Sequence, residues 1–375
     1  MSALQRISSG LKSVSDPVGR RAYIGRFKWL MNGSSAMHAH SLEYRAGLTG
    51  TFAIKVERSD EDPELVMHCP ADCGAHAPLS HLYERRFIYR LRKTVTSTAS
   101  GATVMCGSTE PPFFVRESIT WPFESILTHG LEIPEVKQAA NLHSGECVVF
   151  PTNTNYYHWL IEELPLVLRA ARSFPHAKFV AFRDGITDKH RKVAQLLGIT
   201  LIESDVIVGL DEQVLPGRSN DSWFVHPTDA ALLAEFGQRM ANTTEVAPAD
   251  QDSGSRVYVS RRFSKRALPG EEQLEQLLSE QGFTIAHLES MDWAEQVSLF
   301  QSASLVVGPH GAGLSNLVFT PTGATLIELT NGNQYNRCFE WICHVVGHRY
   351  LAIAADPGTK GSEPAALAAA ISAQL

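Results

Sequence analysis

Three stretches of the chain contain residues whose types and spacing could do chemistry. The first is Ser304-Leu-Val-Val-Gly-Pro-His-Gly-Ala-Gly-Leu-Ser-Asn-Leu-Val-Phe319, which predicts an apolar strand, a glycine loop and a short helix. The glycines permit close backbone approach, so we expect free N–H groups at the helix start, near 314–316, to receive phosphate oxygens. His310 could add a donor or a charge. The spacing matches neither GxGxxG nor a P-loop, and a tight turn without a ligand is the alternative.

The second stretch is Arg256–Arg266, which carries five cations and no acid. Three of these cations follow the end of a predicted strand, where a diphosphate would bind: Arg261, Arg262 and Arg266. Arginine binds phosphate oxygens bidentately and can neutralise the charge that builds on a leaving group. A solvated basic loop is the alternative interpretation.

The third stretch is Asn155-Tyr-Tyr-His-Trp-Leu-Ile-Glu-Glu-Leu-Pro-Leu-Val-Leu168. Asn155 can cap a helix, and His158 and Glu162, four residues apart, would project from one face. The apolar positions would point to the opposite side: Leu160, Leu164 and Val167. A carboxylate beside an imidazole makes a plausible base for a hydroxyl nucleophile. A surface or capping histidine is the alternative.

Glu328 ends an apolar strand shortly after the glycine loop. An acid at the carboxyl end of a strand can accept hydrogen bonds from ribose hydroxyls. A carboxylate that caps a nearby helix is an equally open interpretation.

The elements that must position these residues alternate between strands and helices. From Cys147 to Ile202, and again from Arg256 to Leu329, apolar strands alternate with helices, which predicts an α/β fold with parallel sheets. Ligands of such sheets sit at the carboxyl ends of the strands. The polar run 242–255 predicts a linker between an N-terminal lobe, 1–241, and a C-terminal lobe, 256–375. Residues 40–125 predict β-hairpins, and the acceptor-side α/β part would begin at about 145.

Composition limits the class of protein. The 375 residues favour two domains, and a net charge of −7 with 44% apolar and 19% charged residues disfavours disorder and nucleic-acid binding. The sequence offers neither an apolar signal region nor about 20 consecutive apolar residues, so we expect a soluble, cytoplasmic protein. The basic N-terminus could contact an anionic membrane surface.

The six cysteines are expected to be reduced thiols, because no secretion signal is evident. His68-Cys69-x-x-x-Cys73-x-x-His76 lacks a second pair at zinc-finger spacing, so we expect no metal there.

Taken together, the three stretches resemble glycosyltransferase family 61. Its members share motifs that stand here as Asn155-Tyr-Tyr-His-Trp159, Tyr258-Val-Ser-Arg261, Gly308-Pro-His-Gly-Ala-Gly-Leu-Ser-Asn316 and Ile327-Glu-Leu329. Glu295-Gln296 also looks like the family pattern, and the resemblance covers about residues 145 to 350. It implies a GT-B-like, two-lobed fold with Rossmann-like sheets. It also implies inverting transfer of a sugar, hexosyl or pentosyl, from a nucleotide-sugar donor to a glycan or lipid-linked acceptor, without a metal or cofactor, in surface polysaccharide synthesis.

The resemblance also implies roles for single residues. His158, Glu162 and Asn155 would form the catalytic, acceptor-side group, with the choice of base between His158 and Glu162 left open. The residues that would bind the donor and its phosphates are Arg261, Arg266, His310, Gly311, Ala312, Gly313, Leu314, Ser315, Asn316 and Glu328, the last at the ribose. One departure is Gly270, where many members place an asparagine, which puts that donor contact in doubt.

Two other functions fit parts of the pattern. A nucleotide- or glycan-binding module that has lost catalysis would keep the glycine loop and tolerate loss of His158 and Glu162. A Rossmann oxidoreductase would bind its cofactor at a similar strand-loop-helix arrangement, but the chain lacks the GxGxxG motif of that class.

Overall fold

The computed structural model describes most of the chain from residue 142 onward and short strands before it. The described residues are 54–58, 65–69, 79–83, 86–98, 103–105, 113–114, 142–217, 224–243, 254–330, 336–355, 358 and 361–375. They group into two compact units. The first unit takes the described residues of Met1–Pro63, Glu84–Thr154 and Glu162–Ser222, and the second takes those of Glu64–Tyr83, Asn155–Ile161 and Trp223–Leu375.

The first unit is built on an eight-stranded mixed sheet. Its strands are β1 (Ile54–Arg58), β4 (Phe87–Ser97), β5 (Thr103–Met105), β6 (Phe113–Phe114), β7 (Leu142–Val149), β8 (Lys178–Phe182), β9 (Leu201–Ser204) and β10 (Ile207–Pro216). The order is β6-β5-β4-β10-β7-β8-β9, with β1 also on β4. Strands β10, β7, β8 and β9 run parallel to one another, whereas β1, β4, β5 and β6 pair antiparallel.

The helical connections of this sheet follow the apolar pattern of the sequence. Helix α1 (Leu164–Ser173) follows a π-helical segment, His158–Glu163, and α2 (Asp188–Leu197) joins β8 to β9. Pro165 has no N–H to donate to the carbonyl four residues before it, which is a local reason for the irregular helix that precedes α1. The core of the sheet contains Cys147, Val149, Val180, Val208 and Leu210.

The expected antiparallel pairing of consecutive N-terminal strands is present, since β4 pairs with β5 and β5 with β6, but these strands also join a larger sheet. Strand β1 pairs with β4, and β4 pairs antiparallel with β10 from Ile207↔Ser97 to Pro216↔Ile88. The β-rich start and the α/β part therefore share one sheet. The pairing is long-range, so turn signals between neighbouring runs could not reveal it. The predicted α/β class is confirmed.

The second unit contains a fully parallel sheet of five strands. They are β11 (Ser255–Val259), β12 (Phe283–Ala286), β13 (Ala303–Pro309), β14 (Thr325–Thr330) and β15 (Arg349–Ala354), in the order β12-β11-β13-β14-β15. The unit also contains the hairpin of β2 (Leu65–Cys69) and β3 (Leu79–Tyr83). Its helices are α3 (Pro227–Thr243), α4 (Glu271–Glu280), α5 (Trp293–Ser302), a 3₁₀ helix (Ala312–Phe319), α6 (Cys338–Val346) and α7 (Pro364–Ser372).

The predicted strands and helices between 256 and 329 are present with shifts of a few residues at their ends. Within the described ranges, no helix combines the length and apolar character needed to cross a membrane. The predicted linker 242–255 lies largely outside the described residues, so the boundary between lobes stays a prediction.

A buried histidine of the first unit makes stability depend on pH. His190 is 1% exposed, and its Nδ1 accepts a hydrogen bond from the Thr187 N–H at 2.9 Å. Burial, and then the charge of Lys189, lower the pKa of His190 from 6.5 to about 3. Below pH 6.5 the His190 ring is therefore protonated in the unfolded chain but stays neutral in the folded chain. The free energy of unfolding consequently falls as the pH decreases.

We predict that His190→Asn flattens this dependence. Asparagine can accept the Thr187 N–H but does not titrate, so the difference in slope between wild type and variant should reach about 1.4 kcal/mol per pH unit between pH 6 and 4. Urea unfolding at several pH values measures it. Parallel curves for the two proteins would contradict the prediction.

Candidate functional site

The carboxyl ends of β11 and β13 form the centre of the candidate site. Strand β11 pairs with β12 on one side and with β13 on the other. The chain continues in opposite directions across the sheet after β11 and after its neighbour β13. In open parallel sheets, ligands bind in the crevice outside such a switch point. Arg261 follows β11, and His310 and Gly311 follow β13.

The two loops meet through a guanidinium group. Arg261 Nη1 donates to the backbone oxygen of His310. A Cβ added to Gly311 would lie 2.7 Å from the Arg261 Nη1 and 2.9 Å from its Cζ. The guanidinium thus occupies the space that a side chain at 311 would enter, so a larger residue there would displace it.

The cations of the basic stretch have separate environments. Burial, and then the positive charge of Arg266, lower the pKa of Arg261. Arg266 is exposed, and within the described residues its guanidinium makes no ion pair. Arg262 pairs with Glu272 at 2.9 Å and with Glu275 at 3.2 Å. Arg262 is therefore bound to acids, which does not fit its expected place among the phosphate-binding cations.

A buried acid organises the loop after β11. Glu271 is 3% exposed and accepts hydrogen bonds from the Arg261 N–H at 2.7 Å, the Leu268 N–H at 3.0 Å and the Tyr258 hydroxyl at 3.0 Å. One carboxylate thus fixes both ends of the segment that carries Arg261 and Arg266. Sequence analysis did not assign a role to Glu271. The one feature of the sequence that could have indicated this role is the position of Glu271 in the first turn of a helix that follows the basic loop.

A second buried acid holds the imidazole of the glycine loop. Glu328 is fully buried; its Oε1 lies 2.5 Å from His310 Nδ1, and its Oε2 accepts from the Tyr350 hydroxyl at 2.8 Å. The His310 N–H donates to the Leu329 oxygen at 3.0 Å. Backbone and ring of His310 are therefore both fixed. The ribose contact expected for Glu328 stays a prediction, although the carboxylate has no exposed surface.

The helix of the glycine loop begins earlier than expected. Its first hydrogen bond runs from the Leu314 N–H to the Gly311 oxygen at 3.0 Å. The N–H of Leu314 is thus not free, and the N–H groups of Ala312 and Gly313 precede this bond. Ser315 and Asn316 are fully buried. Ala312 and Gly313 keep partial exposure, so they are the positions where a ligand could approach the backbone.

Asn316 belongs to a buried hydrogen-bond network. The Tyr156 hydroxyl donates to Asn316 Oδ1 at 2.5 Å and accepts from Trp293 Nε1 at 2.9 Å. Asn316 Nδ2 donates to Gln296 Oε1 at 3.2 Å, and Gln296 Nε2 donates to the Leu288 oxygen at 2.8 Å. Burial raises the pKa of the Tyr156 hydroxyl. The network ties the segment 155–161 to the 3₁₀ helix, and sequence analysis missed Tyr156.

The predicted catalytic residues lie at the start of a helical segment. Asn155 Oδ1 accepts from the Tyr157 N–H at 3.1 Å, as a capping residue does. His158 and Glu162 are both partly exposed, whereas Leu160 and Leu164 are buried. Contacts assign Asn155–Ile161 to the second unit and the chain from Glu162 to the first.

Aromatic rings connect His158 to the glycine loop within the second unit. The ring centroids of His158 and Tyr157 are 5.6 Å apart, those of Tyr157 and Phe339 are 5.9 Å apart, and those of Phe339 and His310 are 5.1 Å apart. All three contacts are edge-to-face, the arrangement that aromatic rings prefer. The helix-start histidine and the glycine loop are thus linked through two intervening rings, and their common role in one site stays a prediction.

In the parts of the chain that the structure covers, no group of three His, Cys, Asp or Glu residues could hold a metal ion. Cys147, Cys338 and Cys343 are free thiols, as expected. The side chains of the His68–His76 cluster lie outside the description, so the expectation of no metal there stays untested.

We predict that Tyr156→Phe destabilises the second unit. It leaves the Trp293 N–H and the Asn316 Oδ1 without their shared partner, at a cost of about 1–3 kcal/mol. A double-mutant cycle with Trp293→Phe in urea unfolding should show a coupling energy above about 0.5 kcal/mol, because both changes remove one hydrogen bond. Strictly additive losses would argue against the network.

Comparison with known proteins gives two matches. The family model described as Glycosyltransferase 61 matches residues 156–327. The chain is also similar to an EGF domain-specific O-linked N-acetylglucosamine transferase of Drosophila melanogaster, with 29% identity over 127 residues, which are 33% of this chain and 24% of that protein. The chain thus matches about a quarter of the length of this relative.

The matched region contains His158, Arg261 and the whole glycine loop, while Asn155 and Glu328 lie one residue outside it. The family model is that of a glycosyltransferase family, and the Drosophila protein is by its name an N-acetylglucosamine transferase. The resemblance to glycosyltransferase family 61 is confirmed for residues 156–327.

Proposed function

We propose that the chain is an inverting glycosyltransferase that moves a sugar from a nucleotide-sugar donor to an acceptor hydroxyl. The observation that carries the proposal is the arrangement at the β11–β13 switch point. Arg261 contacts the His310 carbonyl oxygen at these strand ends, Arg266 is close enough to add to the effect of burial that lowers the pKa of Arg261, and Glu271 and Glu328 are buried and already bonded. An anionic ligand would meet cations and backbone N–H groups there, as a diphosphate requires.

The diphosphate would bind to Arg261, Arg266 and His310, with the N–H groups of Ala312 and Gly313 directed to phosphate oxygens. As the sugar is transferred, charge builds on the departing nucleoside diphosphate. Cations that are already in place stabilise that charge without reorganisation. We propose that these groups act in place of a divalent metal, so that neither metal nor cofactor is needed.

We propose His158 as the base that removes the proton of the acceptor hydroxyl. It belongs to the same unit as the glycine loop, is partly exposed, and is connected to His310 through Tyr157 and Phe339. Glu162 would assist it, and Asn155 would hold the helix start. An inverting transfer needs one base and no covalent nucleophile.

The finer features that the family resemblance implies belong to the same proposal. They are a GT-B-like relation of two lobes, hexosyl or pentosyl transfer, surface polysaccharide synthesis, a glycan or lipid-linked acceptor and a cytoplasmic location. Membrane contact through the basic N-terminus falls on residues outside the described ranges.

A catalytically inactive binding module remains the second candidate function. It would bind the donor through the same loop but would not depend on His158. The oxidoreductase alternative is weakened because the family match points to glycosyl transfer and the loop lacks GxGxxG.

We predict that one of UDP, GDP, TDP or CMP, or its sugar nucleotide, raises the melting temperature, and that EDTA leaves the rise unchanged. Arg261→Ala should weaken the affinity at least tenfold, because it removes a partly buried cation from the phosphate site. Arg256→Ala is the matched control. Arg256 is an exposed arginine at the other end of β11, so its loss should leave the affinity unchanged. The proposed donor site would be refuted if NAD alone raised the melting temperature, or if Arg261→Ala left the nucleotide affinity unchanged.

We predict that His158→Ala lowers turnover of the identified sugar nucleotide at least tenfold while its binding stays within twofold. The reason is that a base acts on the acceptor and not on the diphosphate. Glu162→Ala should lower turnover less. Donor hydrolysis and transfer assays, with calorimetry for binding, separate the two effects. Equal turnover in wild type and His158→Ala would refute His158 as the base, whereas a wild type that binds the sugar nucleotide but turns none over would favour the inactive module.

A further inference from the structure

Phe263 is an aromatic side chain that the fold leaves in contact with solvent. It lies in the loop after β11, two residues beyond Arg261, and it is 65% exposed. The other exposed large apolar residues of the described chain are Leu142, at the start of β7, and Leu375, the last residue. Single exposed apolar residues are common on protein surfaces, so the contacts of Phe263 decide whether it has a role.

Two neighbouring side chains support the Phe263 ring. The Arg262 guanidinium carbon lies 4.8 Å from the ring centroid, and the centroid of the His287 ring lies 5.1 Å from it. Both neighbours contact the buried acid Glu275: Arg262 pairs with it at 3.2 Å, and His287 Nε2 is 3.8 Å from its Oε1. The ring is thus held in place while most of its surface stays open, so a ligand that stacks on it has little side-chain motion to arrest.

The same contacts connect Phe263 to the loop that would bind the diphosphate. His287 follows β12, the strand beside β11. The next residue, Leu288, lies against the glycine loop, because a Cβ added to Gly313 would be 2.7 Å from Leu288 Cδ1. Phe263 and the backbone of the glycine loop therefore contact consecutive residues of the loop after β12.

The proposed base is connected to the glycine loop from the other direction along the sheet. His158 is linked to His310 through rings that include Phe339, which belongs to α6 between β14 and β15. These two strands lie on the far side of β13 from β12. The sugar and the nucleoside of a donor are attached at opposite ends of its diphosphate. With the sugar directed to His158, the nucleoside extends towards β12 and Phe263.

We propose that Phe263 stacks against the base of the nucleotide donor. Every nucleobase presents a flat π-face, and stacking on an aromatic side chain binds it without a hydrogen bond to its edge. Phe263 therefore accepts uracil, thymine and guanine, and the choice among them has to come from other groups. The inference rests on the proposed function, because it extends the same donor site from the diphosphate to the nucleoside.

Ligands with and without a base test the stacking contact. The affinities of UDP, GDP and TDP are measured by calorimetry beside that of ribose 5-diphosphate, which has the same diphosphate and ribose but no base. The best-bound nucleotide should bind the wild type more tightly than ribose 5-diphosphate. Phe263→Ala should weaken this nucleotide about tenfold, the effect of losing one base stack, and leave ribose 5-diphosphate within twofold. Phe263→Trp keeps an aromatic face and should bind the nucleotide at least as tightly as the wild type.

Two control variants separate the base contact from its surroundings. Arg261→Ala should weaken both kinds of ligand, because both carry the diphosphate. Leu142→Ala removes an apolar side chain of similar exposure, 69%, from the first unit and should change neither affinity. Phe263 itself is exposed, so its replacement should leave the fold intact.

Equal affinity of the wild type for the nucleotides and for ribose 5-diphosphate would overturn the stacking contact and leave the diphosphate site standing. So would an unchanged nucleotide affinity in Phe263→Ala, an equal loss for both kinds of ligand, or a Phe263→Trp variant that binds no better than Phe263→Ala. A wild type that binds neither kind of ligand would refute the proposed donor site itself, and the inference with it.

Discussion

The contact between the Arg261 guanidinium and the glycine loop is the constraint on which the rest of the site depends. The arginine donates to the His310 carbonyl oxygen and fills the space beside Gly311. A cation can approach a backbone this closely only where no Cβ intervenes. The loops after two neighbouring strands are thereby joined, and the position of the guanidinium depends on the absence of a side chain at 311. A larger residue at 311 would push away the charge that the proposed chemistry needs.

Below this contact, buried acids set the electrostatics. Glu271 binds the backbone on either side of the basic loop, Glu275 accepts from Ser260 at 2.5 Å and pairs with Arg262, and Glu328 binds His310. The negative charge of each acid is compensated by hydrogen-bond donors or cations of the protein, since an unpaired buried carboxylate would be costly. The groups of this region that keep exposed surface include the cations Arg261 and Arg266 and the ring of His310.

How much of this could be predicted from the sequence depends on the range of the interactions. Helix α5 illustrates a local signal, because its start at Trp293 is fixed by a capping box of Asp292 and Glu295, within four residues. Strand β10 was missed, since Asp211 and Glu212 interrupt its apolar run and its partners are distant in the chain. The Tyr156 network joins residues 137 and 160 positions apart, and no local pattern records such pairs. The cations, the glycines and His158 can be recognised in the sequence from their residue types. The buried acids that position the cations and the loops cannot.

The departure at Gly270 has a conformational explanation. Gly270 begins α4 in the left-handed region, at φ 70°, and asparagine, the residue that the family resemblance leads one to expect here, tolerates that region better than other residues with a side chain. Glycine therefore preserves the backbone that positions Glu271 while giving up a side-chain amide. A Cβ at this position would lie 2.7 Å from Pro364 Cγ at the start of α7. The ring of Pro364 occupies the space in which a side chain at 270 would begin, so glycine fits this position for reasons of backbone conformation and packing that are independent of any ligand.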